Sequence, residues 1–229
     1  MSTDSTALPQ PGWAWTPELG LGVLAVFSFL LIPIHVNTIY SGLPAHPLFL
    51  HIPVILIPVA VIGALVLVAR PRWWDPHGLW LGLIAVIALG SLNLTMGAGD
   101  ALRGDVGLGG GGGFGPAELI ARHAHAASIL RVLTILFTAV FLVTVSLYRL
   151  RDGHSSGIRG VDRILNAARS IDPSMVAVRA LTAVLALGCL YFVYHTGDLG
   201  AKAVWQGRLG HGGGGGGSGV PGLFQPGGG

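Results

Sequence analysis

Between Leu19 and Ala69 no acidic or basic side chain interrupts the apolar pattern, a run of 51 residues. As a single helix it would extend ~76 Å against a hydrocarbon core of ~30 Å, so the segment must fold back once. The reversal falls in NTIYSGLPAHP, residues 37–47, where Gly42, Pro44 and Pro47 are turn formers. Pro47 also suits the first turn of the following helix, where a missing N–H costs nothing. Three more uncharged runs follow: Pro76–Gly99 with 24 residues, Val132–Tyr148 with 17 and Ala180–Gly197 with 18. The pattern predicts five apolar helices, at 19–37, 47–69, 77–98, 118–149 and 176–197, the fourth beginning near Pro116 and Glu118, ahead of its hydrocarbon part. The expected fold class is an all-α integral membrane protein.

Composition agrees. Only 10% of the 229 residues are charged, 52% are hydrophobic and the mean hydropathy is +0.69, whereas soluble domains carry about 25% charge to hydrate their surfaces. Thirteen Lys+Arg against ten Asp+Glu leave a net charge of +3 without a basic face, so no nucleic acid is expected as a partner. Cys189, the one cysteine, lies in an apolar run and excludes a disulfide framework, a CxxC pair and covalent haem attachment. Counting basic residues near the span ends gives eight on one side, Arg70 and Arg72 plus six in the loop from Arg149 to Arg179, against five on the other. That excess places the first side in the cytoplasm, with the amino terminus inside and the carboxyl terminus outside a bacterial cytoplasmic membrane. Trp13, Trp15, Trp73, Trp74 and Tyr148 are expected as the aromatic belt of the inner interface, and Tyr40, Tyr194 and Trp205 as that of the outer. The glycine tracts at 107–115 and 210–219 cannot build a core and are expected outside it. The first apolar run lacks a basic leader, so it is expected to remain as an anchor.

Nine histidines among so few polar residues are the chemical signal. At 1.5 Å per residue, His35 lies about 25 Å above Glu18, His51 about 28 Å above Arg70 and His195 about 24 Å above Arg179, one level on three helices. His46, His123 and His125 come out ~36–39 Å above Arg70 or Arg149, at the outer headgroups. Polar groups in a membrane usually face the bundle interior and mark function, because lipid offers them no hydrogen bond. Two imidazoles from different helices can hold b-type haem by its axial positions, and imidazole also suits iron, copper and zinc. The competing reading is that such histidines reach for headgroups or cap helix ends. His123 and His125 are about 200° apart around their helix, so both cannot face one site. Arg131 lies ~27 Å above Arg149, where it could pair with a haem propionate or with Asp100. Asn93 and Thr95 are expected to make interhelical hydrogen bonds, and Cys189 to pack. No serine stands in a GxSxG context.

The segment SGLPAHPLFLHIPVILIPVAVIGALVLVARPRWW, with G-x-P-x-H-P followed by a second histidine and proline, resembles the opening of the DUF2231 family of predicted transmembrane proteins. GAGD, ARHAHAA and YHTGDLGAKAVW are similar to that family's remaining motifs, in order, so the resemblance covers about 42–205. It implies a four-helix transmembrane core, with one additional N-terminal transmembrane helix in residues 1–41 and a Gly-rich tail at 206–229. It also implies His46, His51, His123 and His195 as the motif histidines, Asp100 in the acidic position, and no counterpart for His35 or His125. Relatives with fused cytochrome c domains imply respiratory surroundings.

The function expected is a membrane redox protein binding haem b or a transition-metal ion near its outer face. His51 and His195 come first as ligands, then His123 and His46, with Arg131 beside a haem and Asp100 beside a metal. Its electron partner would be quinol or an extracytoplasmic carrier. The alternative is a cofactor-free anchor or accessory subunit of a larger membrane complex, docking through the Arg-rich loop at 149–179, whose IRGVDRILNAARSI has the composition of an amphipathic helix. A proton or metal-ion pathway ranks last, because the inner halves of spans four and five hold no ionisable group.

Overall fold

The computed structural model describes residues 16–32, 34–36, 38–39, 43–105, 116–169 and 172–209. Both glycine tracts, Trp13, Trp15 and Tyr40 therefore lie outside the described residues. The first helix, α1 (Pro17–Phe29), starts where the Thr16 hydroxyl accepts the Leu19 amide proton at 3.2 Å and Pro17 sits at the opening position. It stops four residues before Pro33, because a proline offers no N–H and its ring clashes with the carbonyl four residues earlier. The chain continues through tighter turns, with the amides of Leu31, Ile32 and Ile34 donating to carbonyls three residues back. The N-terminal helix is thus 13 residues, about 20 Å, shorter than the 19–37 span expected.

A short antiparallel ladder, β1 (Thr38–Ile39) with β2 (Leu43–Pro44), pairs Thr38 with Pro44 and Ile39 with Leu43 and reverses the chain at the predicted place. Next come α2 (Ala45–Phe49) and α3 (His51–Ala69), joined through Leu50, whose amide donates to the His46 carbonyl. The interruption lies where Pro53 has no proton to give the Phe49 carbonyl. A single 3₁₀ turn, Pro71–Trp73, leads into α4 (Trp74–Asp105), and then come α5 (Pro116–Arg151), α6 (Arg159–Arg169) and α7 (Asp172–Leu209). Four segments are long and apolar enough to cross a membrane: Ala45–Ala69, Pro71–Arg103, Ala117–Arg151 and Met175–Trp205.

These form two helical hairpins, α3–α4 and α5–α7, with α3 also packed on α7 and α4 on α5. The hairpins bury the same register. Ile57, Ala60, Val61 and Ala64 of α3 correspond, 77 positions on, to the equally buried Thr134, Phe137, Thr138 and Phe141 of α5. Ala85, Ala88 and Ala98 of α4 correspond, 101 positions on, to the buried Ala186, Cys189 and Leu199 of α7. Cys189 is packed as expected, 3.9 Å from the Thr134 hydroxyl.

One end of the bundle is tied by arginine. Arg149 of α5 pairs with Glu18 of α1 and, at 3.2 Å, with Asp75 of α4, while Arg179 of α7 donates to the Val68 carbonyl of α3. Five helices therefore share one level there, the origin from which the histidine heights were reckoned. Trp74 and Tyr148 depart from the aromatic belt predicted for this end: both are buried, stacked on each other at 5.2 Å, with Phe141 5.3 Å from Trp74. A core between α4 and α5 claims them because two large rings gain more by mutual burial than by facing headgroups. Tyr194 and Trp205 are exposed on the bundle surface.

Candidate functional site

At the opposite end the two hairpins bring histidine together. His46, in the first turn of α2, and His123, two turns into α5, lie with ring centroids 6.5 Å apart and planes at 88°. Each ring is held the same way by the second helix of its own hairpin. His46 Nδ1 lies 2.9 Å from the Thr95 carbonyl oxygen on α4, and His123 Nδ1 lies 2.8 Å from the Thr196 carbonyl oxygen on α7. A carbonyl only accepts, so Nδ1 carries the proton in both rings, and each Nε2 of the neutral imidazole keeps its lone pair.

Each ring also rests on a glycine four residues beyond its carbonyl. A Cβ on Gly99 would stand 2.9 Å from His46 Nδ1, and one on Gly200 would stand 3.1 Å from the His123 ring. The seat is therefore a Thr-x-x-x-Gly turn in each hairpin, Thr95 to Gly99 and Thr196 to Gly200. It also explains GAGD: besides Gly99, a Cβ on Gly97 would overlap the Ile34 carbonyl oxygen, so this glycine lets the chain after α1 lie against α4. The same stretch is tied by Asn93, whose amide donates to the Ser28 carbonyl at 2.9 Å, the interhelical bond expected of it.

The threonine hydroxyls differ. Thr95 Oγ1 donates to the Ser91 carbonyl within its own helix at 2.8 Å. Thr196 Oγ1, buried beside the His123 contact, has no hydrogen-bond partner among the described residues. A buried hydroxyl without a partner costs about 1–3 kcal/mol, so this one is a polar group with bonding capacity left over.

The remaining candidates are dispersed. His51 is exposed on the bundle surface. His195 is half-buried, its ring stacked on Tyr191 at 5.8 Å with Phe192 edge-on at 6.2 Å. His125 is exposed while His123 turns inward, as their angular separation requires, and His35 is exposed beyond α1. Asp100 is exposed with its carboxylate 4.0 Å from Arg103 of its own helix, and Arg131 is half-buried in α5. Among the described residues no three His, Cys, Asp or Glu side chains converge as a metal cluster.

Height alone ranked His46 and His123 behind His51 and His195 and gave no sign of the glycine seats, since height does not say which way a ring points. The signal was available: a histidine near the start of the first helix and Thr-x-x-x-Gly near the end of the second recur in both halves.

No curated protein and no solved structure matches the chain. A family model does match residues 42–213, a stretch that takes in both hairpins and all four membrane-length helices. The chain accordingly belongs to DUF2231, a family of predicted membrane proteins.

Proposed function

We propose that this is a membrane redox protein whose site is the His46–His123 pair, holding haem b or a transition-metal ion at the end of the bundle away from the arginines. One observation carries the reading: two imidazoles from different hairpins lie with ring centroids 6.5 Å apart and both Nδ1 atoms committed to backbone carbonyls. This is the second-sphere arrangement that fixes the tautomer and orientation of histidine ligands. Two protein donors are too few for a structural zinc site, which takes four. They suffice for haem, whose porphyrin supplies the other four nitrogens. Bound there, haem iron supplies one-electron transfer, and the partner is a quinol or an extracytoplasmic carrier. The chain's own part is to aim the rings, through Thr95, Thr196, Gly99 and Gly200, and to offer the Thr196 hydroxyl beside them. The excess of arginine at the opposite end supports a reading with that end in the cytoplasm and the histidines outside.

The test is the dithionite-reduced minus oxidised absorption spectrum of the detergent-purified protein, with metal analysis of the same sample. A reduced-state band with stoichiometric iron, or stoichiometric copper without a haem band, is expected. Either should be lost in His46→Ala and His123→Ala and retained in His51→Ala and His195→Ala. A wild-type protein with neither chromophore nor metal would overturn the reading.

A further inference from the structure

A second surface, independent of the histidine pair, lies at the arginine end. Helix α6 is tethered on both sides by membrane-length helices, leaving α5 at Arg151 and entering α7 at Asp172, so it cannot move far from the plane where those helices end. At 100° per residue, Val161, Ile164 and Leu165, with Ile158 just before the helix, fall on one arc, and Arg159, Asp162, Arg163 and Asn166 on the other. The apolar arc is only partly covered. Ile158, Val161 and Leu165 line a cleft of about 220 Å³ together with Leu21 of α1, Leu79 of α4 and Leu142 and Val143 of α5, while Ile164 is left 71% exposed.

The depth of that cleft indicates what covers the rest. Val143 lies six residues before Arg149, about 9 Å deeper along α5, and is itself exposed on the outside of the bundle. An amphipathic helix lying in a bilayer interface buries its apolar face ~5–10 Å into the headgroup–acyl boundary. The apolar edge of α6 is therefore continuous with a membrane-facing strip of α5 at interfacial depth. The charge has the matching sign: with Arg149 and Arg179 committed inside the bundle, Arg151, Arg159 and Arg163 remain exposed around this helix.

We propose that α6 lies in the leaflet at the arginine end, with Ile164 and Val161 among the acyl chains and Arg159 and Arg163 on anionic phospholipid headgroups. The helix thereby makes the bundle's seating sensitive to the anionic lipid content of that leaflet.

The full-length protein in lipid nanodiscs tests this. A spin label on Ile164→Cys should be reached by oxygen and shielded from a water-soluble nickel chelate, and one on Arg163→Cys should show the reverse, with the buried Cys189 left in place. Replacing part of the phosphatidylcholine with phosphatidylglycerol should slow amide exchange across 158–169 by roughly fivefold per arginine at low salt. The Arg159→Glu/Arg163→Glu double variant should lose that response while exchange in α5 and α7 stays unchanged, which separates lost lipid binding from lost folding. Equal nickel access at 164 and 163, or exchange indifferent to phosphatidylglycerol, would overturn the proposal. So would protection of α6 that appears only when other membrane proteins are added, which would assign the surface to a protein partner.

Discussion

The two hairpins build the same histidine seat and differ in what surrounds it. In the first, α4 also carries the chain that follows α1, with Gly97 against the Ile34 backbone and Asn93 bonded to Ser28. In the second, no described residue lies within 4 Å of where a Cβ on Gly197 would stand, and the Thr196 hydroxyl has no partner among the described residues. At the other end the contrast continues, with a single 3₁₀ turn connecting the first hairpin and α6 built into the connection of the second. The repeated part thus positions rings, and the unrepeated parts dress one seat with protein and fit the other hairpin with an amphipathic helix.

Substitutions at matched positions should split the halves, and the largest effect is expected in the core. Trp74 is fully buried against Phe141 and Tyr148, whereas the corresponding residue of the second hairpin, 101 positions on, is the half-buried Met175. Trp74→Ala should cost about 3–5 kcal/mol and Met175→Ala much less, read as melting temperature in detergent. Equal shifts would show that the hairpins share the core load evenly.

Glycine substitutions should separate the halves next. Gly97→Ala should cost about 1–3 kcal/mol as overpacking against backbone that cannot rotate aside, and should speed amide exchange in residues 30–36. Gly197→Ala has open space and should gain about 0.5–1 kcal/mol of helix preference. A destabilising Gly197→Ala would mean that the second hairpin is clothed after all.

At the seats the contrast narrows. Alanine at Gly99 brings a Cβ to 2.9 Å from His46, and alanine at Gly200 brings one to 3.1 Å from His123, so both rings must shift, the first by more. Loss of any bound chromophore or metal should accompany both variants and be more complete for Gly99→Ala. Full retention in both would show that the seats pack the rings without aiming them.

The smallest effect belongs to the turn before α6. Burial pushes the Asp162 carboxyl up, but hydrogen bonds from the Ser155 hydroxyl and the Ser156 amide outweigh it and hold the group below its ordinary value. Its contribution is present above the unfolded value of about 3.9 and is lost as pH falls through the lower folded value. The protection of the Ser156 amide against exchange, relative to its intrinsic rate, should therefore fall only in acid below about pH 4, and Asp162→Asn should remove that dependence. No comparable step is expected in the short connection of the first hairpin.

Much of this architecture was legible in advance. The uncharged runs located every membrane-length helix, because a chain in lipid must satisfy its backbone internally and show apolar side chains outward. The reversal at 37–47 followed from Gly42, Pro44 and Pro47, and GAGD with its neighbouring motifs pointed to the family. The end of α1 was readable too, from Pro33, but a stretch of high hydropathy masked the break. The candidate site was half legible: His46 and His123 stood among the candidates, ranked below His51 and His195 because those are deeper.

Hydropathy depends on residue type and chain position alone, so the chain determined its solvent and its spans without any tertiary information. Which ring turns inward depends on rotation about each helix axis and on how closely two backbones approach. Those are set by contacts between residues far apart in sequence, such as Gly99 with His46 and Gly200 with His123. The same contacts turned Trp74 from an expected interface residue into a core one, and only the packed bundle decided it.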